Sequence, residues 1–144
     1  MSYTVRTADI WVADLRNRPG MVARVLEALS NAGANLEFVI GRRITKDSSR
    51  LFVAPLKGVT QKRAAADVGL VPAAGLHAIR VEGPDRAGLG SDITRALAAA
   101  GINLRGLSAA TLGRTSVIYL AFETQPEADA AAKIVRKAAP KAGK

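Results

Sequence analysis

Apolar positions recur along the chain with two periods. Met21, Val25 and Leu29 fall at i, i+4 and i+8, as do Leu89, Ile93 and Leu97, which puts one apolar stripe on each of two helices. Ile10-Trp-Val-Ala13 and Ile79-Arg-Val-Glu82 precede those helices as short strands. Leu36, Phe38 and Ile40 alternate, as in a half-buried strand, and Leu51-Phe-Val-Ala54 is a further strand. Val117-Ile-Tyr-Leu-Ala-Phe122 is a nearly continuous apolar run, expected of a strand central in its sheet. Polar turns are expected at Thr45-Lys-Asp-Ser-Ser49 and Leu112-Gly-Arg-Thr115. A weak helix covers 60–67 and a clear one covers 127–138, where Ala128, Ala131, Ala132 and Val135 share a face. Pro19 suits the first helical position, and Gly33 and Gly101 stand where a left-handed residue would end each helix.

The pattern occurs twice. Displaced by 68 positions, residues 14–36 and 82–104 align without a gap, and eight of 23 pairs are identical. The identities include Arg18/Arg86, Gly20/Gly88, Gly33/Gly101, Asn35/Asn103 and Leu36/Leu104. Each half reads strand, helix, strand, strand, helix, and residues 68–71 close the first half as a last strand. This is an α+β chain of two ferredoxin-like βαββαβ repeats, each an antiparallel sheet with helices on one face. The repeats divide as 1–72 and 73–144, with Pro72-Ala-Ala-Gly75 marking the boundary. The second half has no last strand of its own, because Pro140-Lys-Ala-Gly-Lys144 cannot supply one. The segment 3–6 is the candidate to fill that edge.

Composition narrows the chemistry. The chain of 144 residues has no Cys and one His, His77. This excludes disulfide scaffolds, thiolate metal sites and two-His motifs, and no metal or other cofactor is expected. His77 reads as a surface residue at a strand edge. Trp11 and Phe52 read as core. No secretory leader or membrane-spanning stretch is visible, so a cytoplasmic protein is expected.

The formal net charge of +9 points first to nucleic acid. Without the last twelve residues, which hold five basic side chains and no acid, it falls to +4. That tail, with Lys133, Arg136, Lys137, Lys141 and Lys144, reads as a solvated helix end. RNA-recognition domains share the split βαβ topology but interleave aromatic and basic residues on their central strands. Neither Arg50-Leu-Phe-Val-Ala54 nor Ser116-Val-Ile-Tyr-Leu-Ala-Phe122 has that pattern. Gly88-Leu-Gly90 hints at a dinucleotide loop, but Ile93 replaces the third Gly, and no nucleophile–base pair stands out. A non-enzyme is expected.

The segments Asn17-Arg-Pro-Gly-Met21 with Gly33-Ala-Asn-Leu36, and Asp85-Arg-Ala-Gly-Leu89 with Gly101-Ile-Asn-Leu104, resemble the signature of ACT domains. The resemblance occurs twice and covers nearly the whole chain. It implies a tandem, allosteric, amino-acid-sensing module, with ACT domains paired side by side into one eight-stranded sheet and an effector at the seam. Pairing within the chain or in a homodimer is implied. Carried over by position, Arg16, Asn17, Arg18, Pro19, Gly20 and Met21 would meet Asn103 and Leu104 at one site. Pro84, Asp85, Arg86, Ala87, Gly88 and Leu89 would meet Asn35 and Leu36 at the other.

The residues support this on physical grounds. A helix N-terminus offers unpaired N–H groups to a carboxylate, and Gly20 and Gly88 let a ligand approach the backbone. Asn17 and Asn103 offer donors and acceptors to a zwitterion, and Arg16 or Arg18 could add a charge-assisted bond. Asn17 and Asp85 serve equally well as turn-ordering residues, and so do Asn35 and Asn103 after a helix-ending Gly. Ala87 and Pro84 depart from the family pattern, so the two sites are expected to be inequivalent. A ligand-independent protein–protein interaction module remains the alternative, with nucleic-acid binding behind it.

Overall fold

A computed structural model describes residues 2–141. In chain order the elements are β1 (Thr4–Ala8), β2 (Trp11–Arg16), α1 (Met21–Asn31), β3 (Phe38–Arg43), β4 (Ser48–Ala54), α2 (Gly58–Asp67) and β5 (Val71–Pro72). They continue with β6 (His77–Pro84), α3 (Leu89–Ala99), β7 (Gly106–Leu112), β8 (Thr115–Phe122), α4 (Gln125–Ala138) and a 3-10 turn at Ala139–Lys141. Lys144 and the last tail positions read from the sequence lie outside the described residues.

Two compact units result, one spanning residues 9–74, the other joining Gly75 onward to the segment that ends at Ala8. In the 9–74 unit the strand order is β3-β4-β2-β5, all antiparallel. In the other it is β1-β6-β8-β7, again antiparallel. These are the two ferredoxin-like repeats. β1 stands beside β6 where β5 stands beside β2, so the chain begins in one repeat, builds the other whole, and returns. A cut at 72/73 would separate residues 1–8 from their sheet. The missing strand of the second repeat comes from the N-terminus, and Val5, facing Val81 across the pair, joins its core.

The helix stripes become the cores. Val25 and Leu29 pack with Leu51, Val53 and Leu70 in one unit. Leu89, Ile93 and Leu97 pack with Ile79, Val81, Leu120 and Phe122 in the other, where Ala128, Ala131 and Val135 bring α4 onto the sheet. Both stripes end alike. The Gly33 N–H donates to Ser30 O at 2.9 Å and Ala34 N–H to Leu29 O at 3.0 Å, with Gly33 at φ 84°. Gly101 and Ile102 repeat this onto Ala98 and Leu97. This is the Schellman closure, which needs a left-handed residue.

Local expectations fail in four places. The segment 68–71 is mostly the end of α2: Leu70 N–H donates to Ala65 O at 2.9 Å, leaving Val71–Pro72 as a two-residue strand. Pro19 precedes the N-cap Gly20, so it is not the first helical residue. Phe52 alternates with Leu51 and Val53 and therefore lies on the face away from the helices, outside the core; Trp11 does pack on that core. His77 opens the central strand β6, not an edge, and its Nδ1 sits 3.2 Å from Gln125 Oε1.

Candidate functional site

The two strand–helix loops share one backbone. Arg16 ends β2 and Pro84 ends β6. Gly20 and Gly88 are the N-caps, at φ 89° and 87°. Their carbonyls accept from Arg24 N–H at 3.0 Å and Asp92 N–H at 2.9 Å. The positive φ requires glycine, and a glycine cannot cap with a side chain. The amides of Val22 and Ala23, and of Gly90 and Ser91, thus find no acceptor among the described residues. α4 is built differently: Thr124 Oγ1 accepts from Glu127 N–H at 3.3 Å. A Cβ built on Gly20 would have no atom within 4 Å, so the space in front of that cap is open.

Asn17 and Asp85 pin the loops to the facing hairpins. Asn17 N–H donates to Asp47 O at 2.9 Å and its Nδ2 to Lys46 O at 3.0 Å. Asp85 N–H donates to Arg114 O at 2.8 Å. The Asp85 carboxylate accepts from Ser116 Oγ at 2.6 Å and Thr111 Oγ1 at 3.3 Å. The turn-ordering role of both residues is therefore filled. Ser116, a buried polar residue, gains its partner this way.

The loops part company at arginine. Arg86 Nη1 donates to Asp92 Oδ2 at 3.0 Å, its Nη2 donates to Ala139 O at 2.7 Å, and its Nε is buried with no partner among the described residues. Arg18, the counterpart of Arg86, is exposed and has no side-chain bond among the described residues; the counterpart of Asp92 is Arg24. Arg16 is likewise exposed. The nearby carboxylate of Asp14 is already paired, accepting from Arg50 Nε at 2.7 Å. That hydrogen bond first, and the charge second, raise the Arg50 pKa above its ordinary value.

The remaining candidates are placed as follows. Pro19 and Ala87 are exposed in the loops. Met21 is half-buried against one core and Leu89 buried in the other. Asn35 and Asn103 are exposed, while Leu36 and Leu104 pack on their respective cores. Asp92, Ser116, Thr111 and Ala139 matter here and were missed by sequence reasoning. Only Ser116, a polar residue opening an apolar run, carried a local signal.

The ACT domain family model matches residues 77–139. Residues 77–139 of this chain are an ACT domain. Protein BT0572 from Bacteroides thetaiotaomicron is similar in fold, with 14% identity, TM-score 0.77, and 90% of this chain and 88% of that one covered. The ligand-free regulatory subunit of aspartate kinase from Thermus thermophilus covers 96% of this chain and 97% of its own at 16% identity and TM-score 0.68. Its Thermus flavus counterpart covers 96% and 97% at 18% identity and TM-score 0.56. No curated protein matches the sequence. At these identities the solved structures establish a shared fold, and the ACT assignment brings with it a regulatory, ligand-binding role. Among the described residues no helix is long and apolar enough to cross a membrane, and no three His, Asp or Glu side chains are grouped to hold a metal ion.

Proposed function

We propose that this ACT-domain protein is a non-catalytic cytoplasmic regulator that binds one amino acid per chain at the first strand–helix loop, residues 16–21. One observation carries the reading. The uncapped amides of α1 stand beside an open glycine in a loop whose Arg16 and Arg18 are exposed and have no side-chain partner among the described residues, whereas the matching arginine of the second loop is engaged. The α-carboxylate binds the amides at the N-terminus of α1, where the helix dipole favours negative charge. Arg16 or Arg18 adds a charge-assisted bond. The ammonium group needs acceptors, which the side chain of an Asn103-type residue from a facing ACT domain supplies.

That facing domain joins side by side, within the chain or from a second copy. β3 and β7 favour this mode, since each is bonded to one neighbour only and is an edge of its sheet. A ligand held by two domains stabilises their paired state, and a partner protein reads the difference. A thermal-shift screen of the full chain against the twenty amino acids tests the reading. Ligand at one hundred times its dissociation constant should stabilise the fold by about 2.7 kcal/mol. If no amino acid raises the melting temperature, the proposal is wrong.

A further inference from the structure

A groove of about 540 Å³ runs between α3 and α4 on the helix side of one unit. Its floor is Ala96 and Ala99 from α3, with Ile134 and Ala138 from α4. Arg95 and Lys137 flank it. Both are exposed, and neither has a side-chain partner among the described residues. The one acid at the groove, Asp92, is already compensated by Arg86 at 3.0 Å. The result is a small-residue apolar floor between two unneutralised cations.

We propose that this groove docks an acidic amphipathic helix of a partner protein. The alanines let a guest's apolar side chains approach the floor closely, as helix-in-groove recognition requires. Carboxylates on the guest's flanks then meet Arg95 and Lys137, which fixes its orientation and speeds encounter. A second copy of this chain is the poorer guest. Its own α4 ends in Arg136 and Lys137, so it would bring cations against cations. The groove also touches the second loop through one ion pair: Asp92 lines the groove and holds Arg86, which in turn holds Ala139 O at 2.7 Å. The docking proposal stands independently of the amino-acid reading.

The test is an NMR titration of the full chain with a synthetic amphipathic helix, Leu/Ala on one face and Glu on the other. A control peptide carries Lys in place of Glu. The Glu peptide should shift the amides of residues 92–99 and 134–139, and the Lys peptide should not. Arg95→Glu with Lys137→Glu should weaken binding by about tenfold or more. Ala99→Trp, which fills the groove without changing its charge, should do the same. Lys62→Glu with Arg63→Glu, the same charge change on α2, should alter affinity by less than about twofold. Circular dichroism confirms that each variant is folded. Undiminished binding by either groove variant, shifts confined to other surfaces, or equal binding of the Lys peptide would overturn the proposal. So would a dimer in sedimentation that Ala99→Trp dissociates, because the occupant would then be a second copy.

Discussion

Arg86 and Asp92 are joined at 3.0 Å across the start of α3, while the same two positions of the first repeat hold Arg18 and Arg24. One loop backbone therefore carries two opposite electrostatic arrangements. In the second repeat the arginine holds the loop to α3 and to the end of α4. In the first, neither arginine has a side-chain partner among the described residues.

That asymmetry gives a stability prediction. Arg86→Ala removes two hydrogen bonds and leaves Asp92 and Ala139 O without their partner, which should cost about 1–3 kcal/mol in denaturant unfolding. Arg18→Ala should stay within about 0.5 kcal/mol of the wild type. Equal costs would show that the Arg86 contacts are not formed in solution.

Tyr3 crosses the sheet edge to reach the second loop. Its hydroxyl donates to Pro84 O at 2.7 Å, and its ring lies where a Cβ on Gly83 would be. Gly83→Ala should therefore destabilise the protein by about 1–3 kcal/mol, the usual cost of overpacking. In a Tyr3→Ala background the same change should cost almost nothing. A double-mutant cycle measures the difference, and simple additivity would contradict the packing.

The first strand makes a larger claim. β1 pairs with β6 from Thr4↔Glu82 to Ala8↔Ala78, and Val5 O accepts from Arg136 Nη2 at 3.0 Å. Deleting residues 1–8 should speed hydrogen exchange in β6, β8 and α4 and leave β2 and β4 near their wild-type protection. Loss of protection confined to the 9–74 unit would contradict the assignment of β1.

Much of the fold was legible in the sequence because it is repeated and local. The 68-residue offset located both helices, both capping glycines and both Gly-x-Asn segments, and the absent last strand pointed to the N-terminus. What the sequence left open depends on distant partners. Asp85 is held by Ser116 and Thr111, and Arg86 by Ala139, 53 residues away. No local pattern shows that these side chains are already engaged while Arg18 is not. The strand expected over 68–71 failed for a related reason: the closure of α2 through Leu70 competes with β pairing there.

Gly20 bears on ligand binding most directly. It sits at φ 89° with open space in front, so Gly20→Val forces a β-branched residue into the left-handed region and fills that space. The strain should cost about 1–2 kcal/mol without unfolding the protein. Gly88→Val imposes the same strain on the loop whose arginine is engaged.

Calorimetric titration of the wild type, Gly20→Val and Gly88→Val with the amino acid that gives the largest thermal shift is the most direct measurement. The expected result is one site per chain, lost in folded Gly20→Val and retained in Gly88→Val. Two identical sites per chain, or undiminished affinity in Gly20→Val, would contradict a single ligand site at the first loop.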